Sequence, residues 1–405
     1  MRKSFISKLM QGVIAFTAVM AMSSCSGLVD AVIGSVDNPS SDSKPSTPTE
    51  VTVAGIPADS KATPNPTLPE AANATLPNLN YTVSTVSGKS VINFSLTGIL
   101  DPNETAEWIR LYGTGLSNQN VWLSIDGTPK GIKVVNTIDE STQVSAVDLV
   151  FLVDNSGSMD DEADKVADGI IEWSKKLSTT LDMRFGCVGY WGPITGGINM
   201  TTIDNFVDFL NYNNNTGTSR TTHFAEDGTD WATLQPAYSP TSYMDENGVA
   251  ALRLADENFN FRAGANRVYV NFTDEPIFPQ GQEKWSTDYV KDPANWPATK
   301  GTIHTVFSSP YYASWSDDSW TPLYKECPWL LSDYTGGTKK FAQSDFSDVT
   351  LDDLPITGAL QNSYVISLSN VANLFDGQPH TVKITILSPN GTIRAEKEYT
   401  VTFTK

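Results

Sequence analysis

Val147-Asp148-Leu149-Val150-Phe151-Leu152-Val153 is a nearly unbroken apolar run, and it ends on Asp154-Asn155-Ser156-Gly157-Ser158-Met159. A strand that is apolar on both sides suits the centre of a parallel sheet covered on two faces. Downstream, Val166, Ile170, Trp173 and Leu177 recur at helical spacing, which predicts a helix over 161–180. Strand-like runs follow at 184–190, 267–273 and 302–307. Helical or mixed runs lie at 205–210, 248–258 and 323–333, the last closed by Gly336-Gly337. This alternation predicts a doubly wound α/β domain over residues 145–358, with its ligand site outside the carboxyl ends of the strands.

The flanks follow a different pattern. Short alternating segments at 81–86, 90–96, 107–111, 120–125 and 131–135 are separated by turns such as Asp101-Pro102-Asn103 and Asp126-Gly127. The same pattern returns at 363–369, 380–387 and 394–404. Neither part alone makes a comfortable domain. Together they have the size of an immunoglobulin-like sandwich, so residues 80–144 and 359–405 are expected to form one sandwich interrupted by the α/β domain. Two independent small β modules are the alternative.

At the other end of the chain, residues 1–24 carry Arg2, Lys3 and Lys8 and then an apolar stretch from Leu9 to Met22. That length suits a signal peptide and is short for a membrane span. The stretch ends on Met22-Ser23-Ser24-Cys25, which resembles the lipobox of bacterial lipoproteins, where the cysteine becomes the lipidated (palmitate-bearing) mature terminus. Residues 25–79 then read as a Pro/Ser/Thr-rich tether, with Pro39, Pro45, Pro48, Pro57, Pro64, Pro66, Pro69 and Pro77 and no helical or strand period.

The chain has 405 residues and a formal charge of −19, which disfavours a nucleic-acid partner, because phosphate backbones would be repelled. Three cysteines give no disulfide framework. Cys187 and Cys327 are expected on opposite sides of the sheet as free, buried thiols. The histidines, His223, His304 and His380, have no metal-ligand spacing, and no Gly-x-Ser-x-Gly surrounds Ser156 or Ser158. An enzyme is therefore not expected. Trp285, Trp296, Tyr311, Tyr312, Trp315 and Trp320 are read as packing residues, with an interaction patch as the alternative.

The D-x-S-x-S spacing of Asp154, Ser156 and Ser158 places three oxygen-bearing side chains on alternate positions of a tight loop, where they can converge. A carboxylate and two hydroxyls suit Mg²⁺, Ca²⁺ or Mn²⁺ better than zinc or copper. The run resembles the metal-ion-dependent adhesion site (MIDAS) of von Willebrand factor A (vWA, Rossmann-like) domains, here in a lipoprotein of a bacterial, Bacteroidetes-like envelope. The resemblance implies that Ser156 and Ser158 ligate the metal directly and Asp154 directly or through water. It further implies that Asp274, at the end of the run 267–274, supplies another carboxylate. The third-loop ligand is Glu246, which opens the helix before that strand, or alternatively Thr218. Asp161 and Glu162 resemble the acidic pair of a second, adjacent metal site. The cation, Mg²⁺ first, then accepts an Asp or Glu carboxylate from a protein ligand. The expected role is adhesion by a lipoprotein in the outer membrane, on its surface in preference to the periplasm. The alternative is a structural or appendage-assembly subunit whose metal only stabilises these loops.

Overall fold

The structure, a computed structural model, describes residues 55–68, 73–103, 107–113, 118–137, 146–216, 235–239, 246–308, 325–343 and 354–405; side chains are described within these except at 160–164 and 212–216. The strands before the centre are β1 (Leu79–Val86), β2 (Lys89–Leu96), β3 (Val121–Ile125), β4 (Thr128–Pro129) and β5 (Ile132–Asn136). The central strands are β6 (Val147–Asp154), β7 (Met183–Tyr190), β8 (Ile194–Thr201), β9 (Asn266–Thr273), β10 (Thr302–Phe307) and β11 (Lys339–Phe341). After them come β12 (Tyr364–Ser369), β13 (Pro379–Leu387) and β14 (Arg394–Thr402). Helices are α1 (Asp160–Leu177), α2 (Ile203–Thr216), α3 (Gly248–Asn258), α4 (Asp288–Lys291), α5 (Leu330–Thr335) and α6 (Pro355–Gln361).

The central sheet has the order β11-β10-β9-β6-β7-β8, parallel throughout except for β8, which returns antiparallel to β7. Every residue of β6 is buried, so its two faces feed two cores. Leu149, Phe151 and Val153 pack with Ile170 and Trp173 of α1 and Phe206 of α2. Val150 and Leu152 pack with Val249 and Leu252 of α3 on the other face. Phe151 stacks on Phe206 at 5.6 Å and meets Trp173 edge-on at 5.8 Å. Burying each such side chain stabilises the fold by about 1.5–3 kcal/mol.

The opposite end of the sheet is closed by a buried ion pair. The Arg262 guanidinium donates through Nε to Asp148 Oδ1 at 2.7 Å and through Nη1 to Asp182 Oδ1 at 2.7 Å. Its Nη2 reaches the carbonyls of Val147 (2.8 Å) and Asp182 (3.1 Å), and its main-chain N–H donates to Asp148 Oδ2. Burial holds the Asp148 carboxyl above the usual carboxylate range, opposed by Arg262.

Two antiparallel four-stranded sheets flank this centre, β1-β2-β12-β5 and β14-β13-β3-β4. β12 lies between β2 and β5, and β13 between β14 and β3, so late strands are interleaved with early ones. Their inner faces share one core, with Ile92, Phe94, Leu123, Ile366, Ile384 and Phe403 among its members. One corner of these sheets is clamped by His380, whose Nδ1 lies 2.7 Å from Asp126 Oδ2 and whose Nε2 lies 3.1 Å from Asp376 Oδ1. The bond to Asp126 is the largest influence raising the imidazole pKa above 6.5. A folded pKa above the unfolded one stabilises the fold fully below the unfolded value, and that stability is lost as pH rises through the folded value. Thermal melts should therefore fall more between pH 6 and 8.5 for the native chain than for His380→Gln; parallel curves would refute the clamp.

The expected architecture, a doubly wound α/β vWA domain inserted in an all-β immunoglobulin-like sandwich, is corrected by the structure. Among the described residues fourteen strands in three sheets outweigh six α-helices, three of them of seven residues or fewer. Proline is one physical cause, because it removes an amide donor and clashes with a preceding turn. Pro276, Pro279, Pro293 and Pro297 interrupt the route from β9 to β10, whose helical segments are α4 and two 3₁₀ turns, Glu283–Trp285 and Ala298–Lys300. The helix expected over 323–333 begins only after Pro328, as α5. The run 107–111 forms no strand, only an isolated bridge between Leu100 and Trp108. Strands β8 and β11 and helix α6 were not expected.

The proline-rich tether expected over 25–79 also ends sooner. Asp59 pairs with Lys130 at 3.1 Å and accepts from Asn370 at 2.8 Å. Residues 73–78 form a strap between β14 and the end of α5. The Tyr399 hydroxyl donates to the Pro77 carbonyl at 2.7 Å, Lys397 Nζ donates to Asn78 Oδ1 at 2.9 Å, and Asn78 N–H donates to the Thr335 carbonyl at 2.9 Å. Gly336 takes φ +74° where the strap crosses, and a Cβ there would collide with the Leu76 carbonyl. Burial lowers the Lys397 amine to about 8. Cys187 and Cys327 are buried with free thiols.

Candidate metal centre

The loop after β6 and the end of β9 bring their oxygens together because those strands are hydrogen-bonded neighbours in parallel register, Val153 beside Phe272. Both chains therefore leave the sheet on the same edge. Asp154 is fully buried, and Oδ1 accepts from the Ser156 N–H at 3.0 Å. Its Oδ2 accepts from the Thr273 hydroxyl at 2.7 Å. Ser156 Oγ and Ser158 Oγ are 2.8 Å apart, and Ser158 Oγ donates to Asp274 Oδ1 at 3.1 Å. The Ser158 hydroxyl is thus turned across to β9. The residue capping α1 is Met159, without a side-chain bond, so Ser158 does not serve as the helix cap.

Glu246 is buried just before α3, and its carbonyl accepts from the Phe278 N–H at 3.1 Å. Asn247 fixes this loop: Oδ1 accepts from the Ala250 N–H at 2.9 Å, capping α3, while Nδ2 donates to the Phe278 and Trp285 carbonyls. Gly248 lets α3 start against β7 and β9, since a Cβ would stand 3.0 Å from Asn271 Oδ1 and 3.1 Å from the Tyr190 hydroxyl.

Burial pushes the Asp154 carboxyl well above its ordinary range, and repulsion from Asp274 and Glu246 adds to this. Burial likewise raises Asp274 and Glu275, and Glu275 feels Asp274 as well. Among the described residues no Lys or Arg forms an ion pair with Asp154 or Asp274. Removing acids from water beside other acids is unfavourable without a positive partner. A hard divalent cation suits this all-oxygen donor set of carboxylates and hydroxyls. Among the described residues there is no group of three or more His, Cys, Asp or Glu placed to hold a metal ion.

Of the residues singled out by sequence, Asp154, Ser156, Ser158 and Asp274 stand in one hydrogen-bonded group, and Glu246 is near enough to act on Asp154 electrostatically. Thr218 and Cys25 lie outside the described residues, as do the side chains of Asp161 and Glu162 in the first turn of α1. Thr273, Tyr190 and Asn271 were missed. Thr273 holds Asp154, and beneath it the Tyr190 hydroxyl donates to Asn271 Oδ1 at 2.8 Å. Trp285 and Trp296 are buried packing residues, whereas Tyr311, Tyr312, Trp315, Trp320 and His223 lie outside the described residues. His304 is buried, which holds its imidazole down to about 3 and keeps it neutral.

No family model matches the chain, and no curated protein does. Among solved structures it is similar to proximal thread matrix protein 1 from the mussel byssus, at 10% identity and TM-score 0.32, covering 58% of this chain and 49% of that one. It is similar to the adhesive tip pilin GBS104 from Group B Streptococcus agalactiae at 17% identity and TM-score 0.24, covering 39% and 55%. For the pilus adhesin SpaC from Lactobacillus rhamnosus GG, open conformation, the values are 12%, 0.29, 78% and 54%. The chain spans about half the length of each of these proteins. Likeness this distant carries no argument about function.

Proposed function

We propose that this chain is a cell-envelope lipoprotein, anchored through Cys25 in a bacterial outer membrane, that captures a partner protein through a divalent cation. Ser156, Ser158, Asp154 and Asp274 would hold the ion, with Glu246 completing the negative field, in the manner of a metal-ion-dependent adhesion site. The observation that carries this reading is the convergence of two hydroxyls and two carboxylates from separate strands, with Ser158 Oγ 2.8 Å from Ser156 Oγ and 3.1 Å from Asp274 Oδ1.

When bound, the cation supplies a Lewis-acidic point that a partner's Asp or Glu can complete. Neutral hydroxyl donors leave much of its charge for that carboxylate. The rest is positioning: Thr273 and the Ser156 N–H fix the Asp154 carboxylate, and Asn247 fixes the Glu246 loop. Mg²⁺ is the first candidate because few protein ligands leave room for outside oxygens.

Titration calorimetry of the folded chain with Mg²⁺ should give saturable heat, and Ser158→Ala should weaken it by about tenfold or more. Capture of surface proteins from neighbouring cells should disappear in EDTA and return with Mg²⁺. Absence of divalent uptake at millimolar concentration would refute the centre. Capture that survives EDTA would instead assign the chain to a structural or assembly role.

A further inference from the structure

At the opposite end of β9 from Asp274, a groove of about 800 Å³ runs between the edge of the flanking sheets and the chain around Arg267 and Pro293–Lys300. The two ends of this eight-residue strand are some 23 Å apart at about 3.3 Å per residue, so the groove is separate from the candidate metal centre. Its charge is unusual for a chain with 46 acidic and 27 basic residues: Arg267, Lys300 and Lys405 line it, and among the described residues no Asp or Glu does.

The cations are not fully matched. Arg267 and Lys300 share one carboxylate, Asp256, at 3.7 and 2.5 Å. The Arg267 guanidinium lies over the Phe261 ring at 4.4 Å, and its buried Nε has no hydrogen-bond partner among the described residues. Main chain forms the other wall. β1 and β14 are both edge strands, and both line the groove, through Asn80–Val83 and Thr400–Thr402. The Tyr81 N–H turns to Asn80 Oδ1, and the Thr402 carbonyl accepts from the Tyr81 hydroxyl at 3.1 Å. Thr402 therefore directs its main-chain groups away from β13, and strand alternation sends those of Thr400 the same way.

We propose that this groove binds an extended acidic segment of a partner protein, laid along the edge of β14 at Thr400 with its carboxylates on Arg267 and Lys300. Edge strands offer a row of main-chain donors and acceptors that an extended chain can pair. Carboxylates are the natural complement of an Arg and a Lys held side by side. Alternate side chains of such a segment would face the cations, so acids at every second position fit best.

The test uses the full chain in EDTA, which removes any contribution from the divalent centre, so that failure here and failure of the adhesion reading are distinguishable. A short fluorescein-labelled peptide alternating Glu and Val should bind by fluorescence anisotropy, more weakly as salt rises. Lys300→Gln and Arg267→Gln should each weaken it about tenfold, and so should N-methylation of the peptide backbone, which needs no change in the protein. Three results would overturn the proposal: no binding by the native chain, equal binding of a Lys-Val peptide, or indifference to backbone methylation. Binding of an anionic polysaccharide without the peptide would overturn it too.

Discussion

Arg262→Ala is expected to destabilise the folded chain by about 3–5 kcal/mol, the usual cost of stranding a buried charge. Both partners of the Arg262–Asp148 pair have side chains with 0% exposure, so water cannot replace the lost guanidinium. The substitution also leaves the carbonyls of Val147 and Asp182 without their Arg262 donors, at the start of the strand that carries the metal loop. The check is urea unfolding followed by tryptophan fluorescence, read as a fall in midpoint at unchanged slope. The double change Arg262→Met with Asp148→Leu should recover most of the loss, because removing both charges avoids the unpaired acid. A single variant as stable as the native chain would mean that the pair contributes nothing.

Asp154→Asn should have two effects of opposite sign. Without divalent ions the variant should melt at a higher temperature than the native chain, because a buried acid facing Asp274 and Glu246 is replaced by a neutral group. The local bonds can survive: the amide oxygen still accepts from the Ser156 N–H, and the amide nitrogen can donate to Thr273 Oγ. The Thr273 proton can then stay on the Glu275 carbonyl, which it already reaches at 3.2 Å. With Mg²⁺ the order should reverse. The native chain should gain stability and the variant none, its affinity falling by more than the 10–100-fold that loss of an outer partner costs. Differential scanning calorimetry with EDTA and with Mg²⁺ measures both signs at once. A variant that still responds to Mg²⁺ like the native chain would remove Asp154 from the ion.

The parts of the centre legible in the sequence are those marked by contrast. An unbroken apolar run that closes on Asp-x-Ser-x-Ser marks the carboxyl end of a buried strand, and the run closing on Asp274 does the same. Thr273 was invisible because a threonine at the end of a strand is ordinary by β propensity, and its bond to Asp154 spans 119 positions. Tyr190 and Asn271 meet only through sheet order, which no local pattern encodes. The hairpin β7-β8 escaped because Gly196 and Gly197 weaken the apolar alternation of its second strand. Proline misled in both directions: Pro328 delayed the helix expected over 323–333 until Leu330, and before β1 proline resembled a spacer although residues 73–78 are bonded on both sides.

That strap has a mechanical meaning. A pull arriving along the chain from its N-terminal side would meet Ile56, packed on Val135 and Val365, and the contacts of Asp59, then the bonds at Asn65, Asn73, Pro77 and Asn78, all of them ahead of β1. Tension arriving there would thus be shared among several successive fastenings before it reached β1 or the loops above β6 and β9.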